Sequence, residues 1–234
     1  MEEEPLSNKL AVVTGGSRGI GQAIAKHLHE AGMRVVISGR DKASLEESAQ
    51  TVGKNCFPIV CNHSDPEQID SFAKLIEKEH GTCDLLINNA GIMKSKQVID
   101  LNLELWQKVI DTNLTGVFLT TKAFLPSMIE KKQGDIILIG SMSGKKGDPG
   151  ASAYAASKFG LQGFAASLFY EVRKYNIRVM LINPSRVETG PDKEKIGKGI
   201  YLHANDIAQT VRHLASLPQR TTIKEMEVWG TNPE

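Results

Sequence analysis

Short apolar runs separated by longer helical patterns restrict the fold of this chain more than any other feature. The runs are LAVVT (10–14), RVVIS (34–38), CFPIV (56–60), DLLIN (84–88), DIILIG (135–140), IRVMLI (177–182) and EMEVW (225–229). Mostly β-branched or apolar, they read as strands buried on both faces. Between them lie patterns such as GIGQAIAKHLHEAG, stopped by Gly32, and DPEQIDSFAKLIEKEHG, opened by Asp65 as N-cap and stopped by Gly81. Strand and helix in alternation predict an α/β fold, a doubly wound parallel sheet of about seven strands with right-handed crossovers. At 234 residues the chain suits one sizeable core, a single domain over 1–234.

In such a sheet, ligands gather outside the carboxyl ends of the strands. The loops there are GGSRGIG, GRD, NAG, SMSG and NPSRVETG, rich in small and hydrogen-bonding residues. The first has glycines at Gly15, Gly19 and Gly21, a spacing that is neither Gly-x-Gly-x-x-Gly nor a P-loop. The physics is shared all the same. Glycines let the backbone from Gly15 through Ser17, Arg18, Gly19, Ile20 and Gly21 approach a pyrophosphate, and the next helix offers its N-terminus. An ordinary glycine-rich turn is the competing reading. About twenty residues beyond such a turn, NAD-binding proteins place a carboxylate on the ribose. Here the second strand runs into Gly39 and Arg40, with no carboxylate before Asp41. Arg18 and Arg40 suit a 2′-phosphate and favour NADP(H) over NAD; solvated surface arginines are the alternative.

The stretch YAASK places Tyr154 four residues before Lys158, on one face of a helix. A packed surface pair is one reading, and a phenol tuned by a neighbouring ammonium the other. A free tyrosine titrates near 10 and transfers protons poorly at neutrality; an opposite charge within about 4–6 Å lowers such a value. Ser141, ending the fifth strand, can donate to the same oxygen as charge develops there.

Taken in order, TGGSRGIG (14–21), NNAG (88–91), Asn113, Ser141 and YAASK resemble the short-chain dehydrogenase/reductase family over nearly the whole chain. The resemblance implies a Rossmann-like fold and a carbonyl reductase using NADP(H). It implies roles as well. Tyr154 would be the general acid/base, Lys158 its pKa-lowering neighbour and a ribose ligand, Ser141 the holder of the carbonyl, and Asn113 the group ordering a proton-relay water. Asn88, Asn89, Ala90 and Gly91 would line the cofactor floor. Asn62 stands where the family has an aspartate near the adenine, and Pro184, Val187 and Thr189 would flank the nicotinamide. Ser185 replaces the glycine that commonly follows the proline.

Met93, Ser141, Met142, Ser143, Asp148 and Arg186 are the expected substrate wall, closed by a short lid at about 186–204. Lys145, Lys146, Arg186, Lys193, Lys195 and Lys198 surround that mouth. They suit an acidic substrate or an acyl-carrier protein, as in the 3-oxoacyl carrier-protein reductases of this family; solvated lysines are the plainer reading. The Tyr154 helix is apolar or small around much of its circumference and needs cover that the sheet cannot supply alone. A homodimer or homotetramer is expected, through this helix and the preceding long one at about 102–130. A non-catalytic NADPH-binding module remains the rival function.

Other classes are disfavoured. A formal net charge of +1 offers nothing to nucleic acid or a membrane surface. Cys56, Cys61 and Cys83 are odd in number and form no CxxC pair, so neither a disulfide framework nor a metal site is indicated. With a polar, acidic N-terminus and no apolar run near ~20 residues, a cytoplasmic setting is expected.

Overall fold

The structure, a computed structural model, describes residues 5–188 and 201–231. Its strands are β1 Leu10–Thr14, β2 Arg34–Gly39, β3 Cys56–Val60, β4 Leu85–Asn88, β5 Gly134–Ile139, β6 Ile177–Pro184, β7 Val187–Glu188, β8 Leu202–His203 and β9 Glu225–Val228. Its helices are α1 Gly19–Glu30, α2 Lys42–Val52, α3 Pro66–His80, α4 Leu103–Ile110, α5 Gly116–Lys131, α6 Ser152–Val172 and α7 Ala204–Ser216. Among the described residues, seven strands form one parallel sheet in the order β3-β2-β1-β4-β5-β6-β9, and β7 pairs with β8 apart from it. Strand order reverses between β1 and β4, which opens a crevice at their carboxyl ends.

Pleating divides the apolar residues between two cores. Ala11 and Val13 of β1 face a layer containing α1, α2 and α7, while Leu10 and Val12 face one containing α3, α5 and α6. Strands β1, β4, β5 and β6 are buried on both faces, as expected. Two strands depart from that expectation. β3 and β9 alternate with solvent because they are the sheet's edges.

Local chemistry sets the helix ends. Asp65 accepts from the backbone N–H groups of Glu67 and Gln68, Pro66 begins the helix, and Gly81 follows it with φ 86°. Gly32 closes the turn after α1 with φ 89°. The long helix expected over 102–130 is interrupted. A π-helical turn at Asp111–Thr115 separates α4 from α5 and contains Asn113. Immediately after it, a Cβ on Gly116 would stand 1.9 Å from the carbonyl oxygen of His63, so α5 can dock there only through glycine.

A buried ion pair ties down the sheet's amino-terminal edge. Arg178 of β6 donates to both carboxylate oxygens of Asp135 on β5, each at 2.6 Å. Its remaining N–H groups reach the carbonyls of Leu217 at 2.8 Å, Thr221 at 3.2 Å and Ala215 at 3.3 Å, pinning the turn after α7. The three cysteines are free and buried, and burial pushes the thiols of Cys56 and Cys61 up to about 12. Among the described residues, no helix is long and apolar enough to cross a membrane.

Candidate active site at the carboxyl edge of the sheet

The glycine turn is built for close backbone approach. Gly15 has φ +67°, and a Cβ there would lie 2.9 Å from Ala90 Cα; a Cβ on Gly21 would stand 2.2 Å from the Gly15 carbonyl oxygen. The β4 loop is sewn to this turn, with Asn89 Nδ2 donating to the carbonyls of Thr14 at 2.9 Å and Gly15 at 3.1 Å. Thr14 Oγ1 accepts from the N–H groups of Asn89 and Ala90, both at 2.9 Å. The Asn89 amide thus supports the turn. No side chain caps α1, and no acidic residue stands in its first turn. That N-terminus, with exposed Arg18 preceding it, suits a diphosphate.

The adenosine end is set by β2 and β3. Arg40 is exposed just beyond β2. The carboxylate that follows it is already engaged: Asp41 caps α2 by accepting from Ser44 N at 2.8 Å and Ser44 Oγ at 2.5 Å, bonds that hold its carboxyl below the usual range. Asn62 lies in the loop just after β3. Its Oδ1 takes two donors from Ser64, at 2.9 and 3.3 Å, so its accepting capacity is used within its own turn. His63, unnoticed in the sequence, is buried between Ser38 Oγ at 2.7 Å and Thr120 Oγ1 at 3.3 Å, and burial lowers its pKa to about 4.

Near the middle of the sheet, β5, α5 and α6 bring the expected reacting groups together. Tyr154 lies in the first turn of α6, with Lys158 one turn on and its Nζ 5.7 Å from the Tyr154 ring centroid. Lys158 is buried and donates to the Ile139 carbonyl at 2.8 Å; burial lowers its pKa to about 8. The expected net lowering at Tyr154 is not found. Burial raises its hydroxyl above the ordinary value, and a hydrogen bond with the Ser141 hydroxyl only partly offsets this. Desolvation of the phenolate outweighs the local polar help.

Ser141 sits at the start of a single 3₁₀ turn, Met142–Gly144, and its Oγ accepts from Ser143 N at 3.1 Å. Ser143 is thereby a support for Ser141 on the same turn. Asn113 is fully buried and pins the loop after β4: Oδ1 accepts from Ile92 N at 2.8 Å, and Nδ2 donates to Ile92 O at 2.9 Å. The same Nδ2 reaches Ser157 Oγ at 3.1 Å, and Ser157 donates to the Tyr154 carbonyl at 2.7 Å. Ser157 was not singled out in the sequence. Its position three residues after Tyr154, on a helix, was the available signal.

The outer wall is looser. Met93, Asp148 and Arg186 are exposed, and Met142 and Ser143 are partly buried. Arg186 stacks on Tyr201, 4.1 Å from the ring centroid, bringing together the two ends of the expected lid. Lys145 pairs with Glu225 at 2.5 Å. Pro184 ends β6, and Val187 packs against the core. Thr189, Lys193, Lys195, Lys198 and most of the lid lie outside the described residues.

A parallel sheet with a glycine turn at its switch point and a Ser–Tyr–Lys group at the same edge defines a dinucleotide-type oxidoreductase architecture. The short chain dehydrogenase family model matches residues 9–198, and the chain belongs to that family. It is 33% identical to an uncharacterised oxidoreductase of Staphylococcus aureus over 231 residues, 95% of this chain and 97% of the relative. It is 38% identical over 188 residues to a 3-oxoacyl-[acyl-carrier-protein] reductase of Vibrio cholerae, covering 80% of this chain and 77% of that one. Among solved structures, a metagenomic short-chain oxidoreductase in complex with NADP superposes with a TM-score of 0.86 at 35% identity, covering 99% of both chains. An alcohol dehydrogenase of the archaeon Thermococcus sibiricus, complexed with 5-hydroxy-NADP, gives 0.89 at 28% identity, covering 97% of this chain and 99% of that one.

Proposed function

We propose that this oxidoreductase uses NADPH to reduce a carbonyl to an alcohol, the substrate being a 3-oxoacyl thioester or a small to medium ketone. One observation carries the reading: Tyr154 and Lys158 share a face of α6, with the Lys158 ammonium 5.7 Å from the Tyr154 ring centroid and the Ser141 hydroxyl acting on the phenol. NADP(H) is supported by the NADP-bound structural relative, by exposed Arg18 and Arg40, and by the commitment of Asp41 to its helix cap. The carrier-protein reductase among the relatives supports the thioester class, and an acyl-carrier protein is the corresponding partner.

The bound nicotinamide supplies the hydride. The protein's part is proton control. A phenol raised above its ordinary value stays protonated at neutral pH and is ready to give its proton to the carbonyl oxygen. Ser141 donates to the same oxygen as charge develops. The phenolate left behind is stabilised by Ser141 and by Lys158, which is mostly charged at pH 7 with a pKa of about 8. Asn113 fixes the loop that faces the substrate.

The test is NADPH against NADH oxidation with 3-oxoacyl thioesters, diketones, quinones and simple ketones, beside Tyr154→Phe. NADPH-preferring turnover that falls about 10³-fold in the variant, with NADPH affinity kept, is expected. Undiminished turnover in Tyr154→Phe would remove the role of that residue. Tight NADPH binding with no turnover across the panel would favour the non-catalytic module.

The same reading includes a homodimer or homotetramer. Phe159 and Gly163 of α6 and Phe118 of α5 are exposed, and Phe118 meets Phe164 of α6 edge to face at 6.3 Å. An exposed helical glycine costs roughly 1 kcal/mol against alanine, yet a Cβ at Gly163 would meet nothing within 4 Å, so this chain's own packing does not require it. Close approach by a second copy would account for it. Light scattering at micromolar concentration is expected to give a dimer or tetramer, and a clean monomer would reject this.

A further inference from the structure

Asn183, at the end of β6, has no surface exposure and belongs to none of the roles above. Its side chain makes four contacts. Oδ1 accepts from the backbone N–H of Ser141 at 3.2 Å and from Gln162 Nε2 at 2.8 Å. Nδ2 donates to Glu225 Oε1 at 2.7 Å and makes a longer contact to Gln162 Oε1 at 3.4 Å. The orientation of this amide is fixed by its neighbours. A carboxylate only accepts and a backbone N–H only donates, so the nitrogen must face Glu225 and the oxygen must face Ser141.

Surrounding residues are shaped to admit the contact. A Cβ on Gly140 would lie 2.1 Å from Asn183 Oδ1, and one on Gly144 would lie 2.7 Å from Gln162 Nε2. Both glycines flank the turn that presents Ser141. Lys145 closes the arrangement from the other side: it ends that turn, and its ammonium meets the same Glu225 oxygen that Asn183 uses. Backbone 141–145, Lys145, Glu225 and Asn183 thus form a ring. Gln162 joins it to α6, two turns beyond Tyr154.

We propose that Asn183 is a positioning residue, which with Glu225 and Gln162 fixes the Ser141 turn against α6 and so sets the Ser141 hydroxyl on that of Tyr154. The proposal rests on the reductase reading for its catalytic consequence. Its geometric part has a separate readout. The Ser141 bond holds the Tyr154 pKa down, against burial. Loosening the turn should therefore raise the titration of Tyr154 further.

The experiment is ultraviolet titration of tyrosinate in the protein without added nucleotide, with the Tyr154 contribution isolated by subtracting Tyr154→Phe. It is run on wild type, Asn183→Leu, Glu225→Ala and Glu225→Gln, beside steady-state kinetics on a thioester or diketone from the panel above. Asn183→Leu should shift the Tyr154 titration upward and lower kcat by about 30-fold or more, with NADPH affinity within about twofold. Glu225→Ala should do the same more weakly, about 5- to 10-fold. Glu225→Gln keeps an accepting oxygen and should recover most of that loss. Because Glu225 lies partly at the surface, its variants keep the test alive if Asn183→Leu does not fold.

Unshifted titration in folded Asn183→Leu and Glu225→Ala would overturn the inference. So would unchanged kcat in both, where Tyr154→Phe and Ser141→Ala are inactive. If those two catalytic variants retain turnover while the titration still shifts, the reductase reading fails and the positioning geometry stands.

Discussion

The two ends of the sheet each bury a cation, and they treat it differently. At the amino end, Arg178 finds a bidentate carboxylate and four nearby carbonyls, so its planar fork is almost fully used. At the carboxyl end, Lys158 has three protons to donate and makes one hydrogen bond among the described residues, to Ile139. The first arrangement holds structure together. The second leaves a buried charge with donors to spare, 5.7 Å from the Tyr154 ring centroid. Burial alone therefore does not describe a cation's situation; the number of satisfied donors separates the two.

The largest effect expected from breaking this comparison is at the satisfied end. Arg178→Met removes the guanidinium that compensates Asp135 and should cost about 3–5 kcal/mol of stability. Denaturant unfolding reads it. Adding Asp135→Leu should recover much of the loss, and specific activity of the folded fraction should change little. A single variant as stable as wild type would show the pair to be dispensable.

At the other end the sign reverses. The folded pKa of Lys158, about 8, lies below its unfolded value of 10.5. The unfolded chain therefore binds more protons between those values, and stability should rise as pH climbs from about 8 to 10.5. The gain is on the order of 3 kcal/mol. Lys158→Met should flatten that rise and be more stable than wild type at pH 7, while losing activity. A pH–stability curve identical in both proteins would mean that burial does not lower the pKa of Lys158.

His63 is an intermediate case, a buried base bonded on both ring nitrogens. Its folded pKa of about 4 lies below 6.5, so stability present above pH 6.5 is lost as pH falls. Between pH 6.5 and 5 this amounts to about 2 kcal/mol. His63→Gln should show a shallower acid limb, and an unchanged limb would assign acid sensitivity elsewhere.

Much of this was legible beforehand because it depends on period and order. The seven strands of the main sheet were recognisable from their apolar runs, while the two-residue β7 and β8 were too short to leave one; Tyr154 and Lys158 stood out by their spacing, and Ser141 by the family resemblance. What escaped depended on partners distant in sequence. The burial that raises Tyr154 comes from neighbouring elements, and no i, i+4 rule contains it. Asn183 looked like the start of an altered loop, although Glu225, 42 residues away, fixes its orientation. The π turn around Asn113 was invisible for a related reason: its one extra residue leaves the apolar pattern on either side intact. The edges β3 and β9 resembled central strands because composition does not record a strand's place in the sheet.

Those edges bear on how the molecule behaves in a crowded solution. Cys61 of the β3 extension donates to Gly39, so by alternation Pro58 faces away from β2, where it has no N–H to offer an incoming strand. On the opposite margin β9 is four residues long and carries Glu225 and Glu227. A foreign chain seeking to extend the sheet meets a missing donor on one side and negative charge on the other. Glu225 would then serve solubility besides its bonds to Asn183 and Lys145, so a substitution there would be expected to lower yield.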